Sequence, residues 1–188
     1  MTTTTTVLSQ LAGDWDLDPS HTGLRFSARH AMVATVRGGF KAFSGSLHFD
    51  ADDVAKSTAE VTIDTTSIDT GNEGRDQHLR SADFFDVEKY PTITFATTRV
   101  EQVDDETFTL VGNLTIREVS KEVSITVEFL GLSPDPWGNT RAGFEGKGEI
   151  SRKEWGLEWN AALETGGVLV SDKVKITLDV SAVKRAQA

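Results

Sequence analysis

The 188-residue chain contains no cysteine. This absence excludes disulfide bonds, catalysis by a thiolate and metal sites built from thiolates. Long hydrophobic runs are also missing, and no stretch approaches the roughly 20 apolar residues of a transmembrane helix. Residues 1–13 (MTTTTTVLSQLAG) show neither the basic start nor the apolar core of a secretory signal, so the sequence predicts a cytoplasmic protein.

Basic residues are scarce, since 19 Lys and Arg stand against 29 Asp and Glu and leave a formal charge of −10. Nucleic-acid binding depends on clustered Lys and Arg, so we expect no nucleic-acid partner. Hydrophobic residues make up 38% of the chain, which is enough for a sizeable core. The length suits one all-β unit, and we expect a flexible tail at 1–12 and a single domain at 13–184.

Apolar and polar residues alternate along most of the chain, as in half-buried strands. Residues 43–50 (FSGSLHFD) show the pattern, and it recurs at 59–64, 108–116, 123–129, 142–150 and 174–180. The connections are too short for parallel crossovers, so we expect eight or nine antiparallel strands. Closure into a barrel would remove open edges and enclose packed side chains or one small ligand. Gly112, Gly146 and Gly148 on the inward faces indicate either barrel bends or an internal void.

Residues 67–95 (SIDTGNEGRDQHLRSADFFDVEKYPTITF) interrupt the alternation. Polar, helix-forming residues at 72–81 predict a short helix, and Phe84 and Phe85 follow it before Pro91 returns the chain to a strand. An irregular insertion between strands is a usual place for a lid or a site. In a strand or helix the two rings would face different ways, so we expect one to close the barrel end and the other to pack under the lid or touch a ligand.

Five stretches together resemble the YceI-like family: DPSHTGLRFSARH (18–30), VRGGFKAFSG (36–45), the 67–95 segment, VGNLTIREVSKEV (111–123) and ISRKEWGL (150–157). One departure is Glu118, where the family usually shows glycine. The resemblance implies an all-β fold, an extended antiparallel eight-stranded lipocalin-like barrel with short helices near the mouth, and often a homodimer. It also implies binding of a polyisoprenoid, quinone or fatty-acid derivative in an apolar cavity, as a carrier, store or sensor.

The residues expected on the cavity wall come from the inward strand faces and from the aromatic residues near the mouth: Phe26, His30, Met32, Phe40, Phe43, Leu47, Ile63, Phe84, Phe85, Ile93, Phe95, Leu114, Ile116, Phe144, Ile150 and Trp155. The polar cluster Arg75, Asp76, His78 and Arg80 is expected to meet the ligand's head group, because a guanidinium binds phosphate or carboxylate bidentately. The alternative for Asp76 and Arg80, four residues apart, is a surface ion pair worth about 0.3–0.5 kcal/mol.

Catalysis finds little support in the sequence. No G-x-S-x-G motif occurs, and His21, His30, His48 and His78 show no spacing that would place two imidazoles on one metal ion. We therefore expect a binding protein without metal or cofactor, not an enzyme. Two alternatives stay open: an enzyme acting on such a lipid through His30 or His78 with Asp76, and a dry barrel serving as a stress-response interaction module.

Overall fold

The computed structural model describes residues 8–186, which form eleven strands, an α-helix at residues 73–80, a helical stretch at residues 8–11 and three short 3-10 helices. The 3-10 helices are Val54–Lys56, Thr65–Ser67 and Arg152–Trp155. The helix and strands are α1 (Glu73–Arg80), β1 (Gly13–Leu17), β2 (Gly23–His30), β3 (Ala34–Phe40), β4 (Phe43–Phe49), β5 (Thr58–Asp64), β6 (Ile68–Asp69), β7 (Thr92–Gln102), β8 (Thr107–Ile116), β9 (Val119–Pro134), β10 (Thr140–Ser151) and β11 (Val170–Lys184).

Eight of these strands close a ring in the order β1-β4-β5-β7-β8-β9-β10-β11, and β11 returns to β1. All the pairings are antiparallel. The long β11 pairs with β2 over the first part of β11 and with β1 near the end of β11. β3 pairs with β2, and β6 pairs with β3, so these three strands add to the wall beside the first part of β11. The predicted fold class, an all-β barrel of eight antiparallel strands, is confirmed.

Two hydrophobic clusters occupy opposite ends of the barrel. Both are built largely from inward side chains of the strands, which follow the alternation seen in the sequence. The closed end, as we call it, holds a cluster built around Trp15, Phe108 and Phe144. The helix end, which carries α1 and residues 152–157, holds the cluster around Ile116 and Trp155. None of the helices in the described part of the chain is both long and apolar enough to cross a membrane.

The predicted tail at 1–12 is only partly described. Residues 1–7 lie outside the described residues, whereas residues 8–11 are helical and Leu11 is fully buried. The indole Nε1 of Trp15 donates a 2.8 Å hydrogen bond to the carbonyl oxygen of Leu11. These last residues of the predicted tail therefore belong to the closed-end core.

The interrupted segment contains β6, α1 and a turn at residues 82–85 before β7 begins. The side chain of Asn72 caps α1 by accepting a 2.9 Å hydrogen bond from the backbone N–H of Arg75. At the other end the backbone N–H of Ser81 donates to the carbonyl oxygen of His78. The helix thus begins and ends where the polar run 72–81 of the sequence indicates.

Candidate ligand-binding cavity

A cavity of about 290 Å³ lies inside the barrel between the two clusters. Every strand except β6 contributes to its wall, and α1 contributes Leu79. The wall runs from Phe108 and Phe144 near the closed end to Phe85 and Leu157 at the helix end, and nearly all of its side chains are apolar. This volume is close to the lower limit of the roughly 300–1,000 Å³ typical of small-molecule pockets.

The structure places twelve of the sixteen expected wall residues on the cavity: Phe26, Phe40, Leu47, Ile63, Phe84, Phe85, Ile93, Phe95, Leu114, Ile116, Phe144 and Ile150. His30, Met32, Phe43 and Trp155 do not line it. Met32 is largely exposed in the turn after β2, and His30 is half-buried at the end of that strand. Trp155 is buried in the helix-end cluster, outside the cavity wall.

A large part of the wall comes from branched aliphatic residues that were not singled out in the sequence. β9 contributes Val123, Ile125 and Val127, and β11 contributes Val170, Val174, Ile176, Leu178 and Val180. The alternation at 123–129 and 174–180 already places most of them on one face of each strand. That signal was sufficient to find them, but the expected set favoured the larger aromatic side chains.

The inward glycines have two different roles. A Cβ atom at Gly112 would lie 2.5 Å from the carbonyl oxygen of Ala96, and one at Gly148 would lie 2.5 Å from Cδ1 of Ile125. At these two positions glycine allows close packing and leaves no void. Gly146, in contrast, lines the cavity.

Phe84 and Phe85 both lie on the cavity wall. They occupy the turn at 82–85, where neither the strand nor the helix geometry forces adjacent side chains apart. The ring of Phe85 packs edge-on against Phe40, with centroids 6.0 Å apart. Both rings therefore cover the helix end of the cavity, whereas the sequence led us to expect a division between them.

Arg75 and Asp76 both bind Thr70, just after β6. The Asp76 carboxylate is buried and accepts hydrogen bonds from the backbone N–H of Thr70 at 2.9 Å and from its hydroxyl at 2.5 Å. Arg75 donates from Nε to the Thr70 hydroxyl and from Nη2 to its carbonyl oxygen, both at 2.7 Å. These bonds fasten the start of α1 to the chain that leaves β6.

Arg80 fastens the other end of α1 in the same way. It donates to the carbonyl oxygens of Thr66 and Ile68, each at 3.1 Å, and forms its ion pair with Glu73 at 3.4 Å. The anticipated alternative, an ion pair between Asp76 and Arg80, is not among the contacts of the described residues.

His78 pairs through Nε2 with Asp83 Oδ2 at 2.9 Å. Its ring packs edge-on against Phe84 and Trp159, with centroids 5.1 and 4.5 Å away. The expected head-group set, Arg75, Asp76, His78 and Arg80, does not line the cavity. Its members hold α1 and the adjoining turn over the barrel end.

Arg152 is a buried charged residue on the cavity wall that was not singled out in the sequence. Its guanidinium donates to the carbonyl oxygens of Leu157, Trp159, Val170 and Ser171 at 2.5–3.3 Å. No carboxylate of the described residues lies within salt-bridge distance of it, and burial lowers the pKa of the guanidinium. Four backbone dipoles therefore stabilise the charge, and the Asp172 carboxylate adds a favourable coulombic interaction from beyond salt-bridge distance.

The next question is whether the described residues form a metal site or the pair of His78 with Asp76 that catalysis would use. Within residues 8–186, no three His, Asp or Glu side chains are placed to hold a metal ion together. His78 has Asp83 as its carboxylate partner, and Asp76 is engaged with Thr70. The pairing of His78 with Asp76 that an enzymatic role would use is therefore not formed.

Comparison with known proteins gives a consistent assignment. The YceI-like domain matches residues 15–182. Protein YceI of Escherichia coli O157:H7 is 40% identical over 152 residues, which cover 80% of this chain and 79% of the relative. A UPF0312 protein of Azotobacter vinelandii is 39% identical over 150 residues, covering 79% and 78% of the two chains.

Two solved structures share the fold. The Campylobacter jejuni YceI protein superposes with a TM-score of 0.72 at 30% identity, covering 84% of this chain and 90% of its own. A polyisoprenoid binding domain from Saccharophagus degradans gives a TM-score of 0.70 over 91% and 98% of the two chains, and at 17% identity this shows the fold alone. On the match across residues 15–182 and the 40% identity to protein YceI, this chain belongs to the YceI-like family.

Proposed function

We propose that the barrel binds one long-chain amphiphile, such as a polyisoprenoid, a quinone or a fatty-acid derivative, with its apolar chain in the cavity. The observation that carries the proposal is the cavity of about 290 Å³ with an almost wholly apolar wall. Such a wall offers ordered water few hydrogen-bond partners, and cavities of this kind accept apolar ligands instead. Each methylene buried there contributes roughly 0.8 kcal/mol.

The relatives support the same proposal. The Saccharophagus degradans domain with this fold is described as polyisoprenoid binding. A closed barrel with its apolar surface turned inward suits a carrier, a store or a sensor, since all three require the same binding step. The family assignment and the lack of a His–Asp76 pair favour binding over catalysis.

We assign the polar end of the ligand to the neighbourhood of Arg152, because this charged side chain lines the cavity and no described carboxylate lies within salt-bridge distance of it. The set Arg75, Asp76, His78 and Arg80 remains the alternative prediction, reached only if the ligand extends past Phe84 to α1. Paired ligands of one chain length, an acid and its alcohol, separate the two. Arg152→Gln should reduce the preference for the acid, whereas Arg75→Gln with Arg80→Gln should leave that preference unchanged.

Native mass spectrometry combined with lipid extraction of the purified protein tests the proposal directly. Val61→Trp fills the cavity from β5, and the matched variant Thr62→Trp places the same ring on the exposed face of that strand. We expect the first to lose the bound lipid and its thermal shift, and the second to keep both. A protein that carries no lipid and shows no shift with any long-chain amphiphile would overturn the proposal.

Two remaining expectations have separate tests. A homodimer would appear as twice the chain mass in light scattering after size-exclusion chromatography, and a monomer at all concentrations would contradict it. A cytoplasmic location would appear in cell fractionation.

Turnover of a bound lipid that is lost in His30→Ala would favour the enzyme, and an apo crystal structure with a filled interior would favour the dry interaction module.

A further inference from the structure

Three exposed apolar side chains lie on two neighbouring segments at the helix end of the barrel. Met32 and Val33, 58% and 81% exposed, form the turn between β2 and β3, and Val168, 41% exposed, lies in the loop before β11. The turn and the loop are in contact, because the backbone N–H of Ala31 donates to the carbonyl oxygen of Leu169 at 2.7 Å. We call Met32, Val33 and Val168 the apolar tip.

The apolar tip lies close in the chain to residues of the cavity wall. Ala28, three residues before the turn, lines the cavity, and Val170, two residues after Val168, lines it from the facing strand. Val170 is paired with His30 in the sheet. The cavity wall and the apolar tip are thus close along both segments, with half-buried His30 between Ala28 and the turn. Single exposed hydrophobic residues are common on protein surfaces, whereas a group of them indicates an interaction site.

The backbone of the turn adds an independent observation. Ala31 and Met32 have φ angles of 50° and 66°, a left-handed conformation that costs a residue other than glycine roughly 1–2 kcal/mol. Asn, Asp or Gly would form the turn with less strain and would be polar or small. The chain instead presents an unbranched apolar side chain at a strained position, and such strain is typical of segments with a functional role.

Positive charge flanks the apolar tip. Arg29, Arg37 and Lys175 are exposed on the outer faces of β2, β3 and β11, and the register places Arg37 and Lys175 on either side of Ser27. None of the three forms an ion pair with another described residue. We call these three residues the basic flank.

The charges around the basic flank do not cancel it. Arg25 pairs with Asp179 at 2.7 Å, and Lys173 pairs with Glu149 at 3.4 Å, so these neighbouring charges are internally compensated. Glu158 and Glu164 add two exposed acids in the loop that carries Val168. The three cations still outnumber these two acids, although the whole chain carries a formal charge of −10.

We propose that the apolar tip and the basic flank form a docking surface for an anionic lipid bilayer. The tip side chains enter the interface, and the basic flank contacts lipid phosphates, each basic residue contributing about 1 kcal/mol near such a surface. Neither signal is sufficient alone, because weak apolar insertion gives stable binding only with a second attraction. The inference rests on the proposed function, since docking would bring the helix end of the cavity to the membrane that holds the ligand.

The net negative charge of the molecule favours one orientation of the protein at an anionic membrane. The acidic remainder of the molecule is repelled from an anionic surface, so the molecule approaches with the basic flank first. Raising the salt concentration screens both the attraction and the repulsion at exposed sites. We therefore expect binding that needs anionic lipid and weakens as salt increases.

Vesicle flotation of the full chain tests this, with phosphatidylcholine vesicles compared with vesicles containing phosphatidylglycerol. The wild type should float with the anionic vesicles only. Arg29→Gln with Arg37→Gln should lower the partition coefficient about thirtyfold, the factor expected for two basic residues near the surface. Met32→Ser with Val33→Ser should also lower it severalfold.

A matched control exists at the other end of the barrel. Leu130 and Trp137 are also exposed apolar residues, and β10 separates their hairpin from the tip by twelve residues, about 40 Å. Leu130→Ser with Trp137→Ser should float like the wild type. Equal loss in the control and tip variants, or a wild type that floats with neither vesicle, would overturn the docking surface.

Ligand binding is measured separately, with the amphiphile added from ethanol in the absence of vesicles. Tip variants that bind ligand like the wild type but do not float support the docking surface. A wild type that binds ligand but not vesicles overturns the docking alone and leaves the proposed function standing. Vesicle binding without any ligand binding overturns the proposed function and leaves the docking surface supported.

Discussion

The indole Nε1 of Trp155 donates a 2.9 Å hydrogen bond to the carbonyl oxygen of Leu114. Leu114 belongs to the cavity wall on β8, whereas Trp155 lies in the 3-10 helix that follows β10 and is 1% exposed. The bond ties the segment after β10 to β8 across the helix end. It explains why this ring packs in the end cluster and does not face the cavity.

Removing that bond should destabilise the barrel. Trp155→Phe removes the indole donor to the Leu114 carbonyl, and the loss of such a hydrogen bond costs about 0.5–1.5 kcal/mol in the free energy of unfolding. Trp137→Phe is the matched control, because Trp137 is 79% exposed and its change should stay within about 0.5 kcal/mol. Equilibrium urea denaturation measures both, and equal effects of the two variants would refute the role given to the bond.

A methyl group should have opposite effects at two glycines. Gly112→Ala places Cβ 2.5 Å from the carbonyl oxygen of Ala96, and overpacking of this kind costs typically 1–3 kcal/mol. Gly74→Ala, inside α1, meets only Oδ1 of Asn72 at 3.5 Å and should stabilise the protein by about 0.5–1 kcal/mol. Thermal and urea unfolding give the sign of each change, and a stabilised Gly112→Ala would contradict the close approach of β7 and β8.

Asp18 should make stability depend on acid pH. Hydrogen bonds from Ser20, then from Arg141 and His21, hold the pKa of its carboxyl below the ordinary value of 3.8. A carboxyl with a depressed folded-state pKa stabilises the protein above about pH 4, and this contribution is lost as the pH falls further. Asp18→Asn should therefore lower the free energy of unfolding at pH 7 by about 1–3 kcal/mol and by less at pH 2 to 3.

The control for that series is Asp14→Asn. Asp14 is exposed and pairs with His48 at 2.8 Å, and exposed pairs contribute about 0–1 kcal/mol. Urea midpoints from pH 2 to 7 are compared for the two variants and the wild type. A loss in Asp18→Asn that stays the same at every pH would argue that the carboxylate charge has no part in it.

Asp76 should matter for the attachment of α1. Asp76→Ala leaves the half-buried Thr70 N–H and hydroxyl without their acceptor, at a cost of about 1–3 kcal/mol. Amide hydrogen exchange should accelerate at Thr70 and in the first turn of α1. Asp83→Ala, which removes the exposed partner of His78, should change neither exchange there nor stability by more than about 1 kcal/mol.

The strands were the most predictable part of the fold. Alternation identified the inward faces of β4, β8 and β10, and twelve expected residues do line the cavity. The polar run 72–81 located α1, and the structure shows that Asn72 caps it. These features depend on local periodicity and capping, which are written directly in the order of the residues.

The candidate site was less predictable where long-range contacts decide. Nothing near Arg152 in the chain marks it as buried, because its four carbonyl partners belong to two separate segments, 157–159 and 170–171. The sequence predicted that Leu11 belongs to a tail, whereas in the structure Trp15 donates a hydrogen bond to its carbonyl oxygen. Met32 looked like a wall residue, since alternation cannot tell where a strand ends and its turn begins.

By itself, the sequence determined the all-β class, the inward faces of most strands, the position of α1 and the family. Those properties follow from side-chain period, capping and turn chemistry over a few residues. Only the tertiary structure decided that the polar side chains of α1 bind the backbone around β6 and that Trp155 belongs to the end cluster. It also decided that the turn with Met32 and Val33 contacts the loop with Val168 at the rim. Barrel closure brings distant segments together, and no local pattern records which of them will meet.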